Sequence, residues 1–446
     1  MVLFLPQANG HQCRHHEQYS DGRIRCLLKT RRPNLVRHLA SVSFVFTIIS
    51  LWQMHSLQQQ FATIDLPDLF FPPPAPKTIA YAISLTECNP ESANLDAAAV
   101  LRYSIRRFDS TKYDSKFYAF VHPNAVTCSA ELSRMGYEIQ VRQTPINVTD
   151  IRGPLKKYVE GASCCGSTEF LKLYAYTLVE HPVVVHLDMD VAVLKSLEDL
   201  FDSMLEGSES PARHRLPAMW AYNVTDLPKQ IDAFFTRDYN MLAKAGFREP
   251  LELSIQGGFL VVRPDRAAFQ EYVDTILKGQ YLPDSGWGGP ALRFGGTYGG
   301  AQVQGLAAYF YGHLHPGTSV ELNRCNYNNM VDKPVDEKNG TCLAPREDGF
   351  CEDCRSANLS NVWTTHYTVC QKPWRCDLHK EKLCRELHHE WFRLRLGLEN
   401  EIKKSNPSYI ITAVNTTGEM PWIVDGNRSF CTQGGPNGYI KMQQYA

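Results

Sequence analysis

Apolar residues in this chain fall into short unbroken runs, separated by stretches in which they recur every three or four positions. The unbroken runs are Thr78–Thr86, Lys116–His122, His181–Val191 and Ser254–Pro264. Rich in valine, isoleucine and aromatics, and lacking polar alternation, they predict strands buried on both faces of a parallel sheet. Between them Ala97–Phe108 and Ser167–Glu180 show helical spacing, with Ser167 placed to cap the second and Pro182 to end it. Strand and helix in alternation predict an α/β fold: a mostly parallel, Rossmann-like sheet flanked by helices.

The third run, His-Pro-Val-Val-Val-His-Leu-Asp-Met-Asp-Val, breaks off at Asp188 and Asp190, which strand alternation puts on one side. The C-terminal edge of a parallel sheet is where open α/β folds bind ligands. Two carboxylates there suit Mg²⁺ or Mn²⁺, which keep positions open for phosphates, so a nucleotide diphosphate is the natural third party. An isolated Asp-x-Asp serves equally as a solvated turn or a helix cap. Lys172 sits in an otherwise apolar helix face, either snorkelling past the core or aimed at an anion. The strand at 254–264 opens on Gly257 and Gly258, which allow close approach of backbone to a ligand. A glycine-rich stretch from Asp284 to Gln302 reads as a mobile loop, either a lid over an acceptor or a surface excursion. In Thr365-His-Tyr-Thr-Val-Cys-Gln-Lys-Pro-Trp374, His366 can be a third metal ligand and Lys372 a phosphate donor, or the motif is a packed aromatic corner. Gly-x-Gly-x-x-Gly after a strand, Gly-Lys-Ser/Thr, Gly-x-Ser-x-Gly and His-Glu-x-x-His are all absent, which removes Rossmann-cofactor and P-loop readings.

Composition then sets the compartment. The 446 residues carry a net charge of −1, and no basic patch lies beyond the N-terminus, which excludes nucleic acid as a partner. Leu39–Met54 is the one strongly apolar segment. Seven basic residues from Arg14 to Arg37 precede it, and none follows until Lys77. The positive-inside rule makes it a type II signal anchor with 1–38 cytosolic, a cleaved signal peptide being the alternative. Prolines near Pro72 make 55–77 a stem. Twelve of the 14 cysteines follow the anchor, eight of them between Cys325 and Cys431, as disulfides in an oxidising lumen would require. Zinc on Cys351, Cys354, Cys370 and Cys376 is the alternative. Sequons at Asn147, Asn223, Asn339, Asn358, Asn415 and Asn427 all lie on the same side.

Taken in order, Phe170-Leu-Lys-Leu173, Leu187-Asp-Met-Asp190 running into Leu197-Glu-Asp-Leu-Phe201, Gln256-Gly-Gly-Phe-Leu-Val-Val-Arg-Pro264 and His366 through Lys372-Pro-Trp374 resemble glycosyltransferase family 8, the glycogenin-like group with the GT-A fold. The resemblance covers roughly residues 78 to 376. It implies retaining transfer of a sugar from a nucleotide sugar, commonly UDP-linked, with Mn²⁺ on the diphosphate. Asp188, Asp190 and His366 would ligate metal. Lys172, Lys372, Met189, Gln256, Gly257 and Gly258 would face the donor, Thr86 would form part of the nucleotide floor, and Gln302 would join Lys372 in catalysis. The chain departs from the family pattern at Gly300-Ala-Gln-Val, where Ala301 replaces an aspartate, at Gln256 in place of asparagine, and at Val369 in place of glycine.

The expectation is therefore a Golgi or ER type II membrane enzyme. Its lumenal GT-A domain spans 78–405, includes a disulfide-rich C-terminal segment, and is followed by a tail from 406 to 446. It acts on a glycan, glycoprotein or polysaccharide acceptor. Front-face attack assisted by the leaving phosphate is the expected route, since no carboxylate is placed as a nucleophile. The alternatives are a degenerate family member that binds without turnover, suggested by Ala301, and a metal-dependent nucleotide-sugar hydrolase.

Overall fold

The computed structural model describes residues 75–89, 93–162, 165–216, 226–239, 254–296, 299–333, 340, 342, 351–377, 379–412, 430–432 and 435–443. The segments expected to form the cytosolic tail (1–38), the anchor (Leu39–Met54) and nearly all of the stem lie outside them, as do Cys164 and the sequons at Asn223, Asn339, Asn415 and Asn427. Among the described residues no helix is long and apolar enough to cross a membrane. Asn147 and Asn358 are described, and both are exposed.

Eleven strands are formed among the described residues: β1 (Lys77–Leu85), β2 (Tyr113–Val121), β3 (Glu138–Val141), β4 (Val184–Leu187), β5 (Val191–Val193), β6 (Ala233–Arg237), β7 (Ile255–Val262), β8 (Tyr281–Leu282), β9 (Gly286–Trp287), β10 (Ser319–Glu321) and β11 (Thr364–His366). Seven make one sheet in the order β10-β6-β7-β4-β1-β2-β3. All neighbours are parallel except β7, which runs antiparallel to both β4 and β6. The expected architecture is therefore present, with one reversed strand. That reversal matters, because it brings the N-terminal end of β7 to the edge where β4 and β1 end.

Both faces of the sheet are covered, which explains why the strands read as continuous apolar runs. Ile79, Tyr81 and Ile83 of β1 pack into one hydrophobic cluster, and Ala80 and Ala82 into the other. Val184 and Val185 of β4 are likewise divided, and both are fully buried. Each such valine contributes about 1.5–3 kcal/mol on burial, which fixes β4 in register and with it the position of Asp188.

Two expected elements differ. The helix foreseen at 167–180 is a 3₁₀ helix over Gly166–Thr177, and Ser167 Oγ donates to Glu160 (2.7 Å) instead of capping it. It is buried nearly all round, so tertiary packing rather than local propensity sets its winding. The described residues of the glycine-rich stretch, 284–296 and 299–302, pack into the fold through buried side chains such as Trp287 and Phe294. Trp287 is fully buried, and its indole N–H donates to Gly300 O at 2.7 Å.

Among the described residues five disulfides join Cys88–Cys128, Cys325–Cys354, Cys342–Cys351, Cys370–Cys384 and Cys376–Cys431. The four cysteines of the zinc alternative each pair elsewhere. The C-terminal helix Lys382–Ser405 packs against the Asn94–Arg106 helix. Its Arg395 and Glu399 are fully buried and paired at 2.8 Å. Residues 430–443 are tied in by the Cys376–Cys431 bridge and by Asp96, which accepts hydrogen bonds from Tyr439 Oη and Met442 N at 2.9 Å.

Candidate functional site

β4 ends at Leu187, and the chain turns at once, the Val191 N–H donating to Asp188 O at 3.0 Å. After the turn β5 leaves the sheet and pairs antiparallel with β11, in the register His366↔Val191 and Thr364↔Val193. The Tyr367 N–H completes the ribbon by donating to Asp190 O at 2.9 Å. This short ribbon delivers the C-terminal motif, so a histidine far away in sequence stands beside the acid pair.

One ligand atom from each of Asp188, Asp190 and His366 falls within a 4.8 Å cluster. His366 Nε2 lies 3.3 Å from Asp190 Oδ2 and 4.0 Å from Asp188 Oδ2. His366 and Asp190 are buried, while Asp188 is partly open to the cavity. His366 Nδ1 is buried without a hydrogen-bond partner, while Asp190 Oδ2 is approached by both His366 Nε2 and Lys372 Nζ. Two carboxylates and an imidazole so placed suit a divalent cation, His366 favouring Mn²⁺ over Mg²⁺.

A lysine stands on each side of the cluster. Lys172 Nζ pairs with Asp188 Oδ1 at 2.7 Å and Glu169 Oε1 at 2.5 Å, and donates to Gly257 O at 3.2 Å. Lys372 Nζ pairs with Asp190. Lys172 is therefore aimed at anions rather than snorkelling to solvent. Burial alone would raise the Asp188 carboxyl, but the charge of Lys172, which also hydrogen-bonds it, outweighs burial and brings it down to about 2. Burial would lower the Lys172 ammonium, yet Asp188 and Glu169 hold it above its ordinary value. Burial, reinforced by Lys172, keeps the His366 imidazole below its ordinary range, and a neutral imidazole is the form that binds metal.

These groups line a cavity of about 450 Å³, joined by Thr86 from the end of β1, Met189, Gln256 and Trp374. Gln256 Oε1 accepts from the Gly258 N–H at 2.6 Å and so shapes the start of β7. Gly258 is required by the cluster itself, since a Cβ there would overlap the His366 ring and stand 2.9 Å from Asp188 Oδ2. The approach this glycine permits is thus by ligand side chains. A larger cavity, about 760 Å³, lies against the C-terminal helix and holds none of the acid pair.

Gln302 does not line the cavity. It is buried, and its amide donates to Ala162 O (2.9 Å) and Gly166 O (2.6 Å), tethering the start of the 3₁₀ helix. Gln304 lines the cavity instead, as do Glu169 and Asp238, none of which the sequence pattern singled out. The signal for Glu169 was its i,i+3 spacing from Lys172, which brings the two side chains together on one helix face.

Fold and site together define an α/β protein with a candidate Asp-Asp-His cation site in a cavity at the C-terminal edge of its sheet. No protein-family profile matches the chain, and no curated protein matches it. Among solved structures it is similar to mouse xyloside xylosyltransferase 1 in its apo form, at 11% identity over 66% of this chain and 98% of that one, with a TM-score of 0.41. It is also similar to the galactosyltransferase LgtC in complex with donor and acceptor sugar analogues, at 15% identity over 71% and 95%, TM-score 0.37. A third is the glycosyltransferase GlyE of Streptococcus pneumoniae, at 14% identity over 76% and 68%, TM-score 0.38.

Proposed function

We propose that this chain is a divalent-cation-dependent glycosyltransferase that moves a sugar from a nucleotide sugar, UDP-linked, to a glycan, glycoprotein or polysaccharide acceptor. The observation that carries this is the convergence of Asp188, Asp190 and His366 in one 4.8 Å cluster flanked by two lysines. The cavity presents five carboxylates, Glu87, Glu169, Asp188, Asp190 and Asp238, against Lys172 and Lys372. A diphosphate would be repelled by that balance unless a cation were held there too. A cation on the cluster supplies charge to stabilise the departing diphosphate. Lys372, the more exposed lysine, donates to phosphate oxygens, Lys172 balances Asp188 and Glu169 beside them, and Thr86 and Met189 support the nucleotide.

Retention through front-face attack fits these groups. Glu169, held by Lys172, is a weak nucleophile, and the leaving phosphate can itself serve as the base. Ala301, whose missing carboxylate suggests an inactive member, is buried in an apolar cluster and does not line the cavity. In this reading the chain is a type II membrane protein of the Golgi or ER, with the domain beginning near residue 78 in the lumen. The basic flank before Leu39–Met54, the five disulfides and the exposed Asn147 and Asn358 sequons support that placement. The test is incubation of the full chain with Mn²⁺ and a panel of nucleotide sugars, with and without acceptor glycans. Transfer needs an acceptor. Release of free sugar regardless of acceptor would establish a hydrolase, and binding without turnover an inactive member.

A further inference from the structure

We propose that Glu169 and Gln304 form the sugar-reading end of the cavity and make it select a neutral monosaccharide over an acidic one. The inference rests on the nucleotide-sugar reading and deepens it.

The geometry separates the cavity into two sides. Asp190, Lys372 and Trp374 lie on one. On the other Lys172 stands between Asp188 and Glu169, and Gln304 packs beside Lys172 over Gly257. A Cβ on Gly257 would stand 3.1 Å from Gln304 Cγ and 3.6 Å from Lys172 Nζ, so the bare backbone makes room for both side chains. Gln304 Nε2 is buried and has no hydrogen-bond partner, an unfavourable state that a ligand acceptor would relieve. Glu169 is held by Lys172 through one oxygen, Oε1, and its side chain is 13% exposed, on the cavity wall.

A carboxylate and an amide side by side suit vicinal hydroxyls. The carboxylate accepts from hydroxyl groups, and the amide N–H donates to a hydroxyl oxygen. A sugar carboxylate would meet Glu169 and Asp238 in a cavity where the two lysines are already engaged by Asp188, Glu169 and Asp190. Like charges in so confined a space disfavour it strongly. The carboxylate that Ala301 lacks is thus supplied to the cavity from a different element, one turn before Lys172.

Calorimetric titration of the full chain in Mn²⁺ with UDP, UDP-glucose, UDP-xylose and UDP-glucuronate tests this. The wild type should bind at least one neutral sugar nucleotide tenfold or more tighter than UDP-glucuronate. Glu169→Gln should shrink that gap below threefold, and Glu169→Asp should restore part of it. Gln304→Ala should lower the ratio of neutral-sugar-nucleotide affinity to UDP affinity by about tenfold. Equal binding of glucuronate and neutral donors by the wild type would overturn the inference. So would a Glu169→Gln protein in which UDP and all UDP sugars weaken by one common factor, since Glu169 would then act only through Lys172. Failure of UDP itself to bind the wild type in Mn²⁺ would remove the nucleotide reading, and this inference with it.

Discussion

Gly258 lies directly beneath the His366 ring, with Asp188 alongside, and β7 has no room for a side chain at that point. The contact couples the start of one sheet strand to the C-terminal motif. Gly258→Ala should therefore displace the imidazole from the acid pair while leaving the sheet intact. Mn²⁺ affinity, read by calorimetry, is expected to fall more than tenfold, with circular dichroism unchanged. Wild-type Mn²⁺ affinity in a folded variant would show that His366 is not a ligand.

Removing a ligand outright should cost more. Asp188→Asn, Asp190→Asn and His366→Ala each leave two ligands, and nucleotide-sugar binding and turnover in Mn²⁺ should drop on the order of a hundredfold. EDTA should abolish wild-type turnover, and Mn²⁺ should restore it better than Mg²⁺. Turnover that persists in EDTA would separate the reaction from the cluster.

The sheet was legible because its strands are buried on both faces, which writes them as continuous apolar runs ending in marked residues. Asp188 and Asp190 follow from that ending alone. His366 does not, because nothing local announces a strand as short as Thr364–His366, and only the resemblance placed it at the site. Glu169 was not singled out because an i,i+3 pair with Lys172 is equally ordinary on a solvated helix face, and only the fold turns that face to the cavity. Gln302 and Gln304 lie two residues apart, and the order of residues cannot say which faces inward. The turn after Gly299–Gly300 decides it, sending Gln302 to backbone carbonyls and Gln304 to the cavity.

The segment carrying Lys372 has little regular structure, and two disulfides flank it, Cys370–Cys384 and Cys376–Cys431. Their sequence separations of 14 and 55 predict about 3–4 kcal/mol each from the chain-entropy account. Cys370→Ser with Cys384→Ser should lower thermal stability and reduce turnover, while Mn²⁺ affinity, set by the β5–β11 ribbon, changes less. An equal loss of both would mean that the bridge supports the whole site rather than Lys372.

If Leu39–Met54 anchors the chain, protease added to sealed microsomes should trim only ~4 kDa from the N-terminus and leave a glycosylated core. Sequon occupancy should include the exposed Asn147 and Asn358. Digestion of the whole domain under those conditions would place it in the cytosol and remove the oxidising compartment from the argument.

Lys172 and Lys372 both face the cluster but stand in different surroundings, so their loss should read differently. Lys172 is 7% exposed and neutralises Glu169 and Asp188 at once. Lys172→Ala leaves two adjacent carboxylates facing each other in a mostly buried space, which should cost about 3 kcal/mol of stability as well as donor affinity. Cation binding should partly rescue that stability, because a divalent ion on Asp188 supplies the missing charge. Lys372 is 34% exposed and pairs with Asp190. Lys372→Ala should leave the melting temperature within a few degrees of wild type and show itself mainly in kcat, as expected for a donor to the leaving phosphate. Melting curves with and without Mn²⁺, set beside steady-state kinetics, check both expectations. Identical behaviour of the two variants would mean that the lysines act as interchangeable charges rather than as a buried counter-ion on one side and a phosphate donor on the other.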